Sequence, residues 1–316
     1  MGGKLEHGSR IPFMEEPKVP PQDVFDARIV QAPLQGLLRN IDSEFVRRLK
    51  QAVTSRDSAA ERRVSLFLII MRLTKNCYEA VSFICSDSDD SPKRKREFVL
   101  ILPPTNRQLL DLLFTLVFML DDFPTRSVAY ELGGYRQARE EYDKYYERYG
   151  TSTNPKWQAH FLTLQKWLQE METYLSVTPE QKANPALIHY WRAPYRLMQT
   201  PTRSQPFMEY LEKWLYGETS AQAHLNAAGL FSIGAFLITE LATEFDREQI
   251  SNSNFEKYRF RHFVRTLVTV LAIASEVDTF CQLDNREALT RVWVTLGGYS
   301  EEADSVYKLR YQAMLT

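Results

Sequence analysis

The chain has 316 residues, of which 44% are hydrophobic and 25% are charged, and its formal net charge is −1. This composition is typical of a globular protein with a sizeable core, and the charge excludes a global field that would attract nucleic acid or anionic lipid. Glycine is scarce, at 12 residues, and long runs rich in Leu, Arg, Glu and Ala favour helices over a β architecture. We therefore expect an all-α fold, a large helical bundle of about nine or ten helices.

Cysteine usage and hydropathy predict a soluble, cytoplasmic protein. Cys77, Cys85 and Cys281 are too few for a disulfide framework, which favours a reducing compartment. The most apolar runs are interrupted by polar residues or are shorter than the roughly 20 residues that a membrane span needs. We therefore expect no contact with a membrane.

The N-terminal part of the chain divides into an arm and the beginning of a helical domain. Residues 1–22 lack periodicity and predict a disordered arm, whereas residues 23–316 predict a single helical domain. Asp42 or Ser43 is the expected N-cap of the first clear helix, and Asp57 or Ser58 that of the second. The apolar residues of this second helix surround much of its circumference, which predicts a central, enclosed position.

Further helices follow in chain order, separated by proline. Phe98–Leu102 is a β-prone run that we expect to be extended, and Thr105 is the expected N-cap of a helix that ends before the break at residues 121–124. The next helix carries tyrosines among charged residues. These could stack on bases, but packing against a neighbouring helix is the favoured interpretation. Later helices are expected at 155–175, 207–216, 220–245, 254–280 and 287–315.

Most catalytic and binding motifs are absent from the sequence. There is no H-E-x-x-H, no C-x2-C and no EF-hand pattern, so no metal site is expected. There is also no glycine-rich phosphate loop and no G-x-S-x-G elbow. The sequence accordingly predicts no cofactor.

The segment Tyr216-x3-Ser220-x3-His224 is the most informative polar pattern. Residues four apart advance only about 40° around a helix, so the phenol, the hydroxyl and the imidazole form one stripe. Nucleophilic catalysis by Ser220 would use His224 as base. A buried histidine that fixes helix packing is the alternative, and we favour it.

A second polar pattern lies at the head of the apolar run 109–120. Arg107 and Asp111 are one helical turn apart and form either a structural pair or an anion-binding group. Helical ribonucleases of the HEPN class use an R-x4-6-H motif, and no arginine here precedes a histidine at that spacing. Ordinary HEPN chemistry is therefore disfavoured.

Residues about 100 to 230 resemble an uncharacterised, mostly bacterial helical family, domain of unknown function five-six-seven-seven. The resemblance rests on Arg107 to Asp111, on the segment Asp122 to Tyr130, and on Trp191, Tyr216, Ser220 and His224 in that order. Asp111 stands where the family usually has Glu, and Leu225-Asn226 replaces the usual Gly or Pro. The resemblance implies a helical fold and these candidate residues, but no particular reaction.

Two functions remain open on these residues. In the first, the protein is an interaction or regulatory module of a bacterial defence or stress system, and the polar cluster specifies packing. It would act with a protein partner or as a homo-oligomer. In the second, it is a HEPN-like ribonuclease or another phosphodiester-acting toxin, in which Arg107 binds the anion, His224 acts as acid or base, and Tyr216 or Ser220 orients it. We expect the first, because a nuclease should show a more basic composition.

Overall fold

The computed structural model describes residues 28–85, 98–191, 197, 202–223 and 247–316. Within these ranges 88% of the residues are helical and none is in a strand, which confirms the all-α prediction. The ten helices of the described chain are α1 (Arg28–Ser55), α2 (Ser58–Cys85), α3 (Leu102–Asp121), α4 (Phe123–Tyr149), α5 (Pro155–Tyr174), α6 (Pro179–Ala183), α7 (Gln205–Leu211, then Glu212–Tyr216 and Gly217–Ala223), α8 (Arg247–Cys281), α9 (Arg286–Gly297) and α10 (Glu301–Val306, then Tyr307–Tyr311 and Gln312–Leu315).

The chain divides into two compact units. Unit 1 consists of Met1–Val99 and Ala235–Thr316, and unit 2 of Leu100–Gly234. Helices α1, α2, α8, α9 and α10 belong to unit 1, whereas α3 to α7 belong to unit 2. That residues 23–316 form a single domain stays a prediction, and the arm predicted at 1–22 lies outside the described residues.

Helix α8 is the most enclosed helix of unit 1. Every residue from His262 to Asp278 is buried, including the apolar run Leu271–Ala274. Helix α2 packs against α8 on one side but exposes Ile69, Leu73 and Phe83 on another, so the prediction that α2 is central was wrong. The apolar residues of α2 are spread around the helix, but its neighbours cover only part of the circumference.

The centre of unit 1 also contains a buried ion pair. Glu276 is 1% exposed and accepts hydrogen bonds from Arg310 Nη2 (3.0 Å) and from the Tyr311 hydroxyl (2.9 Å). The indole of Trp293 stacks on Tyr311 and donates to Ser275 Oγ at 3.0 Å. Because a buried carboxylate is costly without partners, these contacts fix the position of α10 on α8.

Helix α3 is the buried helix of unit 2. Its face from Leu109 to Met119 is almost entirely apolar and buried, and α4 and α7 both pack against it. Helices α4 and α5 form a hairpin joined by residues 150–154, with Asn154 capping α5 through a hydrogen bond from Lys156 N at 2.9 Å. A second core of unit 2 contains Tyr135, Leu168, Leu175, Val177 and Ile188.

Several helix boundaries agree with the sequence and several do not. Asp57 accepts from Ala60 N at 3.0 Å, as expected of the N-cap of α2, and the break between α3 and α4 falls at Asp122. Asp42 and Ser43, however, lie in the middle of α1, where Asp42 binds Arg72. The predictions of an N-cap at residue 42 or 43 were therefore wrong.

Three further boundary predictions fail for local reasons. Val99–Ile101 is a 3₁₀ turn leading directly into α3, so the extended segment at Phe98–Leu102 is not observed. Helix α3 consequently begins at Leu102, and Thr105 donates backwards to the Ile101 carbonyl instead of capping. The helix predicted at 287–315 is two helices, because Ser300 caps a new one through a hydrogen bond from Ala303 N at 3.2 Å.

In the described part of the chain, no helix combines the length and the apolar character that crossing a bilayer would require.

The buried imidazole of His262 makes unit 1 sensitive to acid. Its pKa lies well below the ordinary value of 6.5 because burial disfavours the charged form, and Arg265 and Arg261 lower it further. The unfolded chain therefore takes up a proton below pH 6.5 that the folded chain does not, and stability falls as the pH falls. We expect unit 1 to lose about 1 kcal/mol between pH 7.5 and 5.5 from this group.

The measurement is hydrogen exchange of α8 at pH 7.5 and 5.5, corrected for the intrinsic exchange rate. His262→Gln should lose less stability on acidification than the native chain, and the control His160→Gln, at an exposed position, should behave like the native chain. Identical losses in the native chain and in His262→Gln would contradict the assignment.

Candidate functional site

The candidate site is built along one face of α3. Arg107, Asp111, Phe114 and Phe118 are spaced at i, i+4, i+7 and i+11, which places them in one stripe within about 60° of the helix circumference. The N-terminal end of this stripe, with Arg107 and Asp111, is polar, and its C-terminal end, with Phe114 and Phe118, is aromatic. Segments distant in sequence contact both ends.

Arg107 forms the polar end together with Asp111 and Tyr216. Its Nε donates to Asp111 Oδ1 at 3.0 Å, and its Nη2 donates to the Tyr216 hydroxyl. The guanidinium carbon also lies 3.5 Å from the centroid of the Tyr216 ring. The sequence-predicted residues Arg107, Asp111 and Tyr216 are therefore brought together, although the tyrosine lies 105 or more positions after the other two.

Tyr216 reaches Arg107 from the end of a π-helical segment in α7. Glu212–Tyr216 contains an i→i−5 hydrogen bond from Gly217 N to Glu212 O, which inserts one extra residue into the helix. Leu215 and Tyr216 are both buried, and the Thr219 hydroxyl donates to the Leu215 carbonyl at 2.7 Å. The Tyr216 ring meets Phe114 edge-on at 5.3 Å.

Trp191 lies at the aromatic end of the same stripe. Its indole makes edge contacts with Phe118 at 5.6 Å and with Tyr130 at 5.1 Å between ring centroids. Its Nε1 is buried and has no hydrogen-bond partner among the described residues. Trp191 therefore packs about three helical turns along α3 from Arg107.

The Ser220 and His224 part of the prediction is not tested. Ser220 is half-buried on α7. His224 lies outside the described residues. A hydrogen bond between these two side chains, and the meeting of His224 with Arg107, therefore stay predictions.

A second cluster in unit 2 repeats the arrangement around Arg107. Arg136 Nε donates to Glu140 Oε1 at 2.8 Å, its guanidinium lies 3.7 Å from the Tyr190 ring centroid, and the Tyr190 hydroxyl donates to Glu140. Arg136 also donates to the Ile188 carbonyl at 2.6 Å, which fastens the segment after the 3₁₀ turn Pro185–Leu187 to α4. Tyr190, and then Arg136, hold the pKa of the Glu140 carboxyl below its usual value.

A third arginine, Arg126 at the start of α4, contacts the end of α3, where Asp121 also binds the start of α7. Arg126 Nη1 donates to the Phe118 carbonyl at 2.6 Å, and its guanidinium lies 3.9 Å from the Phe118 ring centroid. Asp121, 3.7 Å from Arg126, accepts from Arg203 N at 3.0 Å and from Ser204 Oγ at 3.4 Å. Arg126 thereby ties the start of α4 to the end of α3, and Asp121 ties the end of α3 to the start of α7.

Of the three guanidinium nitrogens of Arg107, Nη1 is buried and has no hydrogen-bond partner in the described part of the chain, whereas Nε and Nη2 each donate one hydrogen bond. An anion could bind at Nη1, or it could displace Asp111 or Tyr216. No group of three or more potential metal ligands occurs within the described ranges.

The tyrosines of α4 pack largely against α5. Tyr149 stacks on Trp157 at 4.3 Å between centroids, and Tyr142 and Tyr146 both meet Phe161 edge-on. This is the arrangement that the favoured packing interpretation predicts, and it leaves fewer ring faces for stacking on bases.

Comparison with protein-family models, with curated proteins and with solved structures finds no significant match to this chain. The resemblance to domain of unknown function five-six-seven-seven therefore stays a prediction.

Sequence reasoning missed two parts of the site. Phe114 lies seven residues after Arg107 and therefore on the same face, but its apolar side chain does not stand out from the rest of the run 109–120. Gly133 belongs to no recognised motif, yet a Cβ there would lie 2.8 Å from Trp191 N and 3.4 Å from Trp191 Cβ. Only glycine allows residue 191 to approach α4 this closely.

Two adjacent glycines provide a matched test of this approach. Gly133→Ala should destabilise unit 2 by about 1–3 kcal/mol, because the backbone of Trp191 must move away. Gly134→Ala has open space around its Cβ and should stabilise α4 by about 0.5–1 kcal/mol. Hydrogen exchange of α4 peptides measures both, and effects of the same sign would contradict the close approach.

Proposed function

We propose that the protein is an interaction or regulatory module, and that the cluster at Arg107 serves packing. The observation that carries this proposal is the recurrence of one arrangement at two places in unit 2. Arg107 with Asp111 and Tyr216, and Arg136 with Glu140 and Tyr190, each combine an i,i+4 ion pair with a tyrosine under the guanidinium. The second cluster fastens a chain segment to a helix, which supports the same role for the first.

The surface that we propose for partner binding is one face of α5. Trp167 and Tyr174 are 47% and 48% exposed, and with Leu164 and Met171 they form a stripe at helical spacing. In the described part of unit 2, α5 packs mainly on α4, which covers only part of its apolar face. Large exposed aromatic side chains are enriched at protein interfaces, so the partner is a protein.

We further propose the cellular compartment in which the protein acts and the biological system to which it belongs. Cys77 and Cys281 are free thiols in the described part of the chain, which supports a reducing, cytoplasmic environment. As its setting we propose a bacterial defence or stress system, in which a module of this kind binds a partner or a second copy of itself.

The competing proposal, a phosphodiester-acting pocket, rests on one specific observation. Arg107 Nη1 is buried without a hydrogen-bond partner among the described residues. A buried cationic donor of this kind could bind an anionic ligand. In that case His224 would act as acid or base, and loss of its imidazole would abolish hydrolysis without unfolding the chain.

Site-specific photo-crosslinking tests the proposed surface. A benzophenone amino acid at position 167 or 174 should give a discrete protein adduct in cells that naturally express the protein, because both positions lie on the proposed face. Position 162 is the matched control, since Leu162 is 68% exposed on a different side of the same helix. Equal adducts at all three positions, or none at 167 and 174, would contradict the surface.

An RNA-cleavage assay separates the two proposals. We expect no cleavage by the native chain beyond that of His224→Ala, since the module proposal assigns no chemistry to the imidazole. Cleavage by the native chain that falls at least 100-fold in His224→Ala, with an unchanged melting temperature, would establish the pocket instead.

A further inference from the structure

Helix α2 has an apolar outer face that its neighbours in unit 1 leave exposed. Helices α1 and α8 pack against other sides of α2, whereas Ile69, Leu73 and Phe83 are 65%, 51% and 65% exposed. Large apolar side chains that lie together at a surface commonly mark a site where another chain binds. The order of the residues on this face indicates which chain that is.

The residues of this outer face follow a heptad pattern. They recur at alternating intervals of three and four positions, which is the spacing of the a and d positions of a coiled coil. Because a helix rises about 1.5 Å per residue, they form a strip about 26 Å long. We call this strip the α2 seam, and it consists of Leu66, Ile69, Leu73, Asn76, Ala80 and Phe83. Leu66 is half-buried and the other five are exposed.

The α2 seam is complementary to a second copy of itself. In an antiparallel coiled coil, each a position packs beside a d position of the facing helix. The register that places Leu73 beside Asn76 of the second copy also places Ile69 beside Ala80. It brings the first residue of the seam beside the last as well. A two-fold axis repeats each of these contacts, so the whole seam is used.

The charged residues beside the α2 seam favour this antiparallel arrangement. Arg72 and Glu79 both occupy g positions, and the side chain of each is more than half exposed. In the register given above, Arg72 of one copy faces Glu79 of the other, and the two-fold axis produces this pair twice. A parallel pair would instead oppose the two residues to Cys77 and Ile84, which carry no charge. Charge complementarity therefore selects an antiparallel second copy.

Arg72 and Glu79 also take part in ion pairs within their own chain. Arg72 Nε donates to Asp42 Oδ1 at 2.9 Å, and Lys75 Nζ lies 3.7 Å from Glu79 Oε1. Exposed ion pairs of this kind contribute little to stability. Either side chain can therefore turn toward a second copy at little cost in free energy.

Asn76 is the polar residue of the α2 seam and lies near its middle. An asparagine at a core position of a coiled coil lowers stability but fixes the register, because other registers would bury its amide among apolar side chains. In the antiparallel pair the two Asn76 side chains lie on either side of the two-fold axis. This residue therefore restricts the seam to one register.

The size of the α2 seam predicts weak and reversible association. A single pair of helices in contact over about 26 Å buries less surface than the roughly 1,600 Å² of a standard protein interface. The polar Asn76 lowers the affinity further. We therefore expect a dissociation constant in the micromolar range.

We propose that the protein forms an antiparallel homodimer through the α2 seam. This surface belongs to unit 1 and consists of different residues from the face of α5 proposed for partner binding in unit 2. Either proposal can fail without the other, because crosslinking at positions 167 and 174 does not report on α2.

Sedimentation equilibrium of the full chain tests the association. We expect the weight-average mass to rise from that of one chain toward that of two as the concentration increases from about 1 to 300 µM. A mass that stays at one chain throughout would overturn the proposal. Growth beyond two chains would also overturn it, because a two-fold contact is closed.

A matched pair of variants locates the contact. Ile69→Glu places a carboxylate in the seam and should abolish dimerisation in this concentration range, because the charge would lose its water beside apolar side chains. Val294→Glu makes the same change at a 59% exposed position on α9 and should dimerise like the native chain. Equal behaviour of the two variants would overturn the assignment to α2.

A charge exchange tests the antiparallel register. Arg72→Glu and Glu79→Arg each place like charges at both edges of the seam, and each should weaken dimerisation about fivefold. An equimolar mixture of the two variants restores opposite charges at both edges, so it should dimerise about as tightly as the native chain. A mixture that associates no more tightly than the separate variants would overturn the register.

Melting temperatures establish that each variant folds. Every substituted side chain is exposed in the single chain, so each variant should melt within a few degrees of the native chain. If Ile69→Glu fails to fold, the charge exchange still decides the proposal, because its two variants regain association only when they are mixed.

Discussion

The packing of unit 2 depends on guanidinium groups laid against aromatic rings. Arg107 on Tyr216, Arg126 on Phe118 and Arg136 on Tyr190 each bring together chain segments that are distant in sequence or on different helices. A guanidinium suits a half-buried contact between chain segments for two reasons. Its plane packs on an apolar ring, and its edge donates hydrogen bonds to carboxylates and carbonyls. Such contacts contribute about 0.5–2 kcal/mol each, depending on how well they are shielded from water.

Each unit also contains a π-helical segment that ends in a tyrosine, and the hydroxyl of each tyrosine is hydrogen-bonded to a charged side chain. Glu212–Tyr216 delivers Tyr216 to Arg107, and Tyr307–Tyr311 delivers Tyr311 to Glu276. The inserted residue changes the helical phase at this point, so that the tyrosine side chain is placed differently from where regular α-helical spacing would put it. Such a segment indicates a specific polar contact, and in unit 1 that contact is structural because Glu276 is enclosed by its partners.

The fold class followed from composition and helical periodicity, and the pairing of Arg107 with Asp111 followed from their spacing. Helix boundaries, such as the 3₁₀ turn at Val99–Ile101, did not follow from the sequence. Conformational propensity near the proline pair at 103–104 is weak, and the residues before it continue directly into α3. The sequence placed Tyr216 and Arg107 in one polar cluster but did not predict the geometry of their contact. Its geometry depends on a π segment that has no recognisable pattern, and the Arg136–Tyr190 cluster joins residues 54 positions apart in a proline-punctuated region.

A double-mutant cycle between Arg107 and Tyr216 tests the packing role most directly. Unfolding free energies of unit 2 would be obtained from hydrogen exchange of α3 for Arg107→Met, Tyr216→Leu and the double variant, with Arg136→Met and Tyr190→Leu as the reference cycle. The account predicts a favourable coupling of about 1–2 kcal/mol for the first pair. Additive effects within about 0.3 kcal/mol would contradict it, since the two side chains would then contribute to stability independently.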